Sequence, residues 1–136
     1  MSYNRAAVFV VNNDKILLLY RKKDNKGGYV VPGGTVEKGE TPKQAAIREV
    51  KEEANIEIYI DKLLWEYGDD ISNCYYYISS NFEGEVKLGG EEAIKNSPEN
   101  QYRLDWINIS ELNKIVLYPS EIHKRIKNYF KKSLKK

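Results

Sequence analysis

The segment from residue 29 to residue 56 constrains this chain more than any other. Thr41 suits a helix N-cap, Pro42 suits the first helical position, and Gln44 completes a capping box with Thr41. Asn55 stands where a left-handed residue would close the helix, so the spacing predicts a helix over residues 42–54. Ahead of it, Tyr29, Val30 and Val31 form a short β-prone run stopped by Pro32, Gly33 and Gly34, and a turn is expected at Lys38 and Gly39. A strand, a glycine turn and a capped helix in that order call for a sheet with a helix laid against it.

The helix is chemically two-sided. At about 100° per residue, Ala46, Ile47, Val50 and Ala54 share one side and are expected to face the core. Glu49, Glu52 and Glu53 fall within one arc on the other side, at spacings of i, i+3 and i+4, with the small Ala45 one turn earlier. Crowded carboxylates repel one another unless a positive charge lies between them. A hard divalent cation such as Mg²⁺ satisfies them. Taken alone, the stretch reads first as an exposed helix with an Arg48–Glu52 pair. The preceding segment shifts that reading. Gly33 and Gly34 permit close backbone approach, a Gly33 carbonyl could supply a further oxygen, and Glu37 and Glu40 add carboxylates on the strand side.

The rest of the chain reads as a mixed sheet. Residues 6–11 and 16–20 form a hairpin, and residues 22–28 a polar loop. Further strands are expected over 56–64, 74–82 and 100–109, with an acidic loop at 89–100. Ser110 caps a short helix and Ser120 a longer one through residue 130, and this C-terminal helix with its tail, about 120–136, is strongly basic. No repeat or linker divides the 136 residues, so one domain spanning 1–136 is expected, of class α/β (α+β), as a layered sandwich. A single cysteine excludes an internal disulfide framework and multi-cysteine zinc sites. With 41% hydrophobic and 31% charged residues and no long apolar run, the expectation is a cytoplasmic protein without a membrane partner.

Gly34, Glu40, Arg48-Glu49-Val50, Glu52-Glu53 and Asn55-Ile56 together resemble the Nudix box, G-x5-E-x7-R-E-U-x-E-E-x-G-U, where U is aliphatic. Eight of nine defined positions agree. The lead-in at residues 29–34 (YVVPGG) is also similar to that of the Nudix hydrolase family. Asn55 departs from the usual glycine, but the position needs a positive φ, which Asn tolerates next best. The resemblance implies an α/β/α sandwich with a mixed central β-sheet. It also implies metal-dependent hydrolysis of a pyrophosphate bond in a nucleoside diphosphate linked to another moiety, by water attack at phosphorus. In that reading Glu49, Glu52, Glu53 and the carbonyl of Gly33 or Gly34 bind Mg²⁺ or Mn²⁺. Arg48 orients Glu49, while Glu40, with Glu37 nearby, supports the cluster from behind. The general base matches Glu49 in some members and lies on a distant loop in others, so Glu91, Glu92 and Glu99 are candidates, Glu92 foremost. Oxidised nucleotides, ADP-ribose, nucleotide sugars, dinucleoside polyphosphates and capped RNA ends are all substrates within the family, and the box does not choose among them. Members are often homodimers.

On the substrate side, Arg5, Arg21 and Lys23 are candidate partners for phosphate, against the plainer reading of each as a surface charge. Tyr29 and Tyr76, from a set including Tyr75 and Tyr77, are candidate platforms for a flat group. Trp65 and Trp106 are expected in the core, Cys74 is expected to be buried, and His123 to be exposed on its helix. Two other functions compete with hydrolysis: a nucleotide-binding regulatory module without turnover, and a nucleic-acid-binding module using the basic tail. The complete set of box glutamates speaks against the first, and the lack of a recognition motif against the second.

Overall fold

A computed structural model describes residues 3–134, apart from the side chains of residues 91, 92, 94 and 132–134. The chain forms β1 (Tyr3–Asn12), β2 (Lys15–Lys23), β3 (Lys26–Val30), β4 (Gly33–Thr35), α1 (Pro42–Ala54), β5 (Glu57–Tyr59), β6 (Lys62–Gly68), β7 (Ser72–Ser79) and β8 (Asn81–Glu83). Then follow α2 (Gly90–Lys95), β9 (Asn100–Asn108), a 3₁₀ turn (Ile109–Lys114), β10 (Leu117–Tyr118) and α3 (Ser120–Leu134).

The main sheet runs β10-β3-β2-β1-β7-β6, with β4 also paired to β1 and β9 to β2. It is mixed, because β1 pairs with β7 and β10 with β3 in parallel while the other pairs are antiparallel. Alternation along β1 explains the layers. Ala6, Val8 and Val10 point to α1 and pack with Ala45, Ala46, Val50 and Ala54. Ala7 and Phe9 point the other way and pack with Ile122, Ile126 and Phe130 of α3. The sheet thus carries a helix on each face, an α/β/α sandwich. Val8, Val50 and Ile126 are fully buried, each contributing about 1.5–3 kcal/mol of transfer free energy.

Helix α1 has the expected bounds because both its ends are written locally. Thr41 Oγ1 accepts from the Gln44 amide at 3.1 Å, and Gln44 Oε1 accepts from the Thr41 amide at 2.9 Å. Asn55 closes the helix at φ 64°, ψ 22°.

Elsewhere the elements depart from expectation. Residues 22–28 are not a loop: β2 and β3 are joined by a two-residue turn at Asp24 and Asn25, both at positive φ, which fits the right-handed twist of the flanking strands. The run 56–64 is broken between β5 and β6, and the run 74–82 between β7 and β8, because β5 and β8 leave the main sheet to pair with each other. The loop 89–100 contains α2. His123 is not free in solvent, since its Nε2 donates to the Leu112 carbonyl at 2.6 Å and ties α3 to the 3₁₀ turn. Cys74 is only half-buried. Trp65 and Trp106 pack at the core margins, Trp65 against Phe9 and Trp106 stacked on Phe82. No described helix is long and apolar enough to cross a membrane.

Candidate active site

Two glycines let β4 close on β1 and on α1. A Cβ at Gly33 would overlap the Ala6 backbone across the β1–β4 pair, and a Cβ at Gly34 would overlap the Glu49 carboxyl group. Close approach of backbone requires glycine at 33, whereas a side chain at 34 would have to displace the Glu49 carboxyl group. The result is a cleft of about 440 Å³ between β4, α1 and the start of α2, whose lining includes Arg5, Gly33, Gly34, Glu49, Glu52 and Glu53. Thr35, Glu37, Arg48 and Gly90 also line it.

Arg48 organises the acids. Its Nε and Nη2 donate to the two oxygens of Glu40 at 2.7 and 3.0 Å, a two-pronged pair. Nη1 donates to Glu49 at 2.9 Å and to Glu52 at 3.3 Å, and Nη2 also reaches the Thr35 carbonyl at 2.9 Å. Glu37 stands 3.7 Å from the same guanidinium, and its amide donates to Glu40 Oε1 at 2.9 Å. One guanidinium therefore braces a ring of carboxylates that includes Glu49 and Glu52. Glu53, at 6% exposure, is the most enclosed of the acids in the cleft.

The electrostatics differ across the ring. Hydrogen bonds from Arg48 and from the Glu37 amide hold the Glu40 carboxyl at about 2, below the ordinary 4.5. Glu49 moves the other way: burial raises it, the negative charge of Glu52 adds to that, and Arg48 only partly compensates. A folded value for Glu40 below its unfolded one contributes stability that is complete above about 4.5 and disappears as pH falls towards 2. The melting-temperature gap between the parent and Glu40→Gln is therefore expected to hold constant near neutrality and to narrow between pH 4.5 and 2. A gap unchanged down to the acid end would remove the Glu40–Arg48 pair as its source.

The sequence-derived candidates separate into groups. Arg5, Gly33, Gly34, Glu37, Arg48, Glu49, Glu52 and Glu53 all border the acidic cleft, and Glu40 lies behind Arg48. Tyr76 is 5% exposed and stacks on Phe9, yet it lines a neighbouring chamber of about 590 Å³ with Arg5, Cys74, Tyr67 and Tyr118. Tyr29 is turned to Asp105, donating at 2.6 Å, and burial raises its hydroxyl above the ordinary value. Arg21 and Lys23 lie in a third cleft, away from the acids. The Glu99 carbonyl accepts from the Asp24 amide at 3.4 Å, beside the β2–β3 turn. Glu91 and Glu92 follow Gly90 in α2, and their side chains lie outside the described residues. The sequence reading missed Tyr67, Gly90 and Tyr118. Gly89 carried a signal: a Cβ there would overlap the Glu52 carbonyl, so α2 is docked on the end of α1.

A family model for the NUDIX domain matches residues 2–129, and the chain belongs to the Nudix hydrolase family. An ADP-ribose pyrophosphatase of Methanocaldococcus jannaschii is 33% identical over 106 residues, which is 76% of this chain and 62% of that protein. The uncharacterized Nudix hydrolase YvcI of Bacillus subtilis is 27% identical over 120 residues, covering 82% of this chain and 69% of its own. A MutT structure described for Aliivibrio salmonicida and Vibrio cholerae superposes with a TM-score of 0.76 over 95% of this chain and 99% of that one; at 21% identity the likeness is one of fold.

Proposed function

We propose that this chain hydrolyses a pyrophosphate bond in a nucleotide derivative, using Mg²⁺ or Mn²⁺ held by Glu49, Glu52, Glu53 and a Gly33 or Gly34 carbonyl. The observation that carries the reading is the acidic cleft, where carboxylates outnumber the two guanidiniums of Arg5 and Arg48 beside a glycine backbone opened to Glu49. The donor set is all oxygen, which suits a hard divalent ion that keeps several waters and shares phosphate oxygens with its substrate. Among the described residues no three His, Cys, Asp or Glu side chains are gathered around one point, and Glu49 and Glu52 are bonded to Arg48, so these carboxylates would have to turn towards an ion to share it with Glu53, backbone and water.

Such an ion supplies charge neutralisation to the diphosphate and acidity to the attacking water. The protein's own groups do the rest. Arg48 fixes the Glu49 and Glu52 carboxylates in the cleft. Arg5, bordering both the acidic cleft and the tyrosine-lined chamber, is placed to meet the phosphate chain where it passes from one to the other. The flat part of the substrate enters that chamber between Tyr67, Tyr76 and Tyr118. A carboxylate must take the water's proton. Glu49, whose proton affinity burial has raised, is one acceptor, and Glu92 is the loop alternative.

The reading includes a single catalytic domain acting in the cytoplasm on a small nucleotide-type substrate. It is tested by incubating purified protein with Mg²⁺ or Mn²⁺ and a panel of nucleotide sugars, dinucleotides, ADP-ribose and nucleoside triphosphates, reading phosphate released after phosphatase coupling. Turnover of at least one compound, abolished by chelator and restored by metal, is the expected result. Tight binding without turnover across the panel would instead identify a regulatory module.

A further inference from the structure

The β2–β3 hairpin sets like charges against one another. The turn at Asp24 and Asn25 puts Lys23 directly opposite Lys26, and Arg21 lies two residues further along the same face, opposite Gly28. Directly opposed like charges in a ladder are destabilising, and Asp24 is the one acid among the residues lining this cleft. The face is also opened: a Cβ at Gly28 would overlap the Tyr118 ring, so glycine there lets Tyr118 lie against the strand. The resulting cleft, about 570 Å³, is lined by Arg21, Lys23, Lys26, Gly28 and Tyr118. Arg21 is also placed over Tyr102, 5.6 Å from the ring centroid.

This basic cleft adjoins the tyrosine-lined chamber. Val30 and Tyr118 border both it and the tyrosine-lined chamber, as Arg5 borders both the chamber and the acidic cleft. Along the surface the order is acids and glycines, then tyrosines, then lysines. A substrate with its diphosphate among the glutamates and its nucleoside in the chamber would direct the far side of its ribose towards Lys23 and Lys26.

We infer that the Arg21–Lys23–Lys26 cleft is a second anion subsite, which selects nucleotide substrates carrying a further phosphate on the ribose side remote from the scissile bond. This rests on the hydrolase reading for its orientation. The phosphate is either a ribose monoester or the diester that joins a following nucleotide, since both offer oxyanions to the same cations.

The test measures binding in chelator, so that it does not depend on turnover. Isothermal titration compares the four nucleoside 5′-monophosphates with the corresponding 3′,5′-bisphosphates and with 5′-phosphorylated dinucleotides. For at least one base, the doubly phosphorylated ligand is expected to bind about tenfold tighter, with the advantage shrinking as salt rises. It should fall to near parity in Lys23→Ala/Lys26→Ala and reverse in Lys23→Glu/Lys26→Glu; both lysines are exposed, so these variants are expected to fold. A larger gain for the bisphosphate assigns the subsite to a monoester, and a larger gain for the dinucleotide to a chain. Equal affinity of singly and doubly phosphorylated ligands for all four bases would overturn the inference, as would an advantage that survives in the double variants. Failure of the hydrolase reading shows separately, as absence of turnover in the metal-supplemented panel.

Discussion

Glu53→Gln is expected to lower kcat/KM at least about 10²-fold while leaving the melting temperature within a few degrees of the parent. Glutamine keeps the volume of the buried side chain, and α1 keeps its caps and its apolar face. What changes is charge. A neutral amide in the most enclosed acid position of the cleft offers one weak oxygen where a carboxylate offered two charged ones, and a hard cation distinguishes them strongly. The loss should appear in kcat more than in KM, because the ion's charge matters most as charge shifts onto the leaving phosphate. Raising metal concentration should recover part of the rate. Glu57→Gln, at an exposed position of β5 and outside the cleft, is the matching control. Full activity of Glu53→Gln at limiting metal would remove Glu53 from the metal site.

The parts of this site that were legible in the sequence are those whose partners lie close along the chain. Thr41, Gln44 and Asn55 specify the ends of α1 by bonds spanning three or four residues, and the i, i+3, i+4 spacing alone placed Glu49, Glu52 and Glu53 together. Glycine at 33 and 34 signalled close approach, though not that Ala6 and Glu49 are what approach. The tyrosine-lined chamber was not legible, because it forms where β1, β3, β6, β7 and β10 meet, and no local pattern brings Tyr67 or Tyr118 beside Arg5. The β2–β3 turn was misread for a related reason. Its polar residues look like a loop until the tight turn at Asp24 and Asn25 aligns the flanking lysines in register. Local chemistry marked the acids, whereas sheet topology determines what surrounds them.

Arg48→Ala should damage both stability and activity, and the way metal rescues it separates the two effects. In the parent the Arg48 side chain is three-quarters buried and its guanidinium is bonded to Glu40, Glu49, Glu52 and the Thr35 carbonyl. Alanine leaves those acids facing one another and leaves the Thr35 carbonyl without this donor. The expected cost is about 2 kcal/mol, below the range for a fully buried pair because part of the ring is hydrated. In a chain of this size that corresponds to a melting temperature lower by about 5–10 °C. Added Mg²⁺ should raise the melting temperature of Arg48→Ala more than that of the parent, since a cation among Glu49 and Glu52 replaces some of the lost positive charge. Activity should not recover in step, because the ion does not restore the fork that holds Glu40 or the orientation of Glu49. Arg48→Lys should regain part of the stability and little of the rate, as an ammonium supplies charge without the two-pronged geometry. If Mg²⁺ stabilised the parent and Arg48→Ala equally, the guanidinium and the metal would not share the same carboxylates, and the site assigned to Glu49 and Glu52 would have to move.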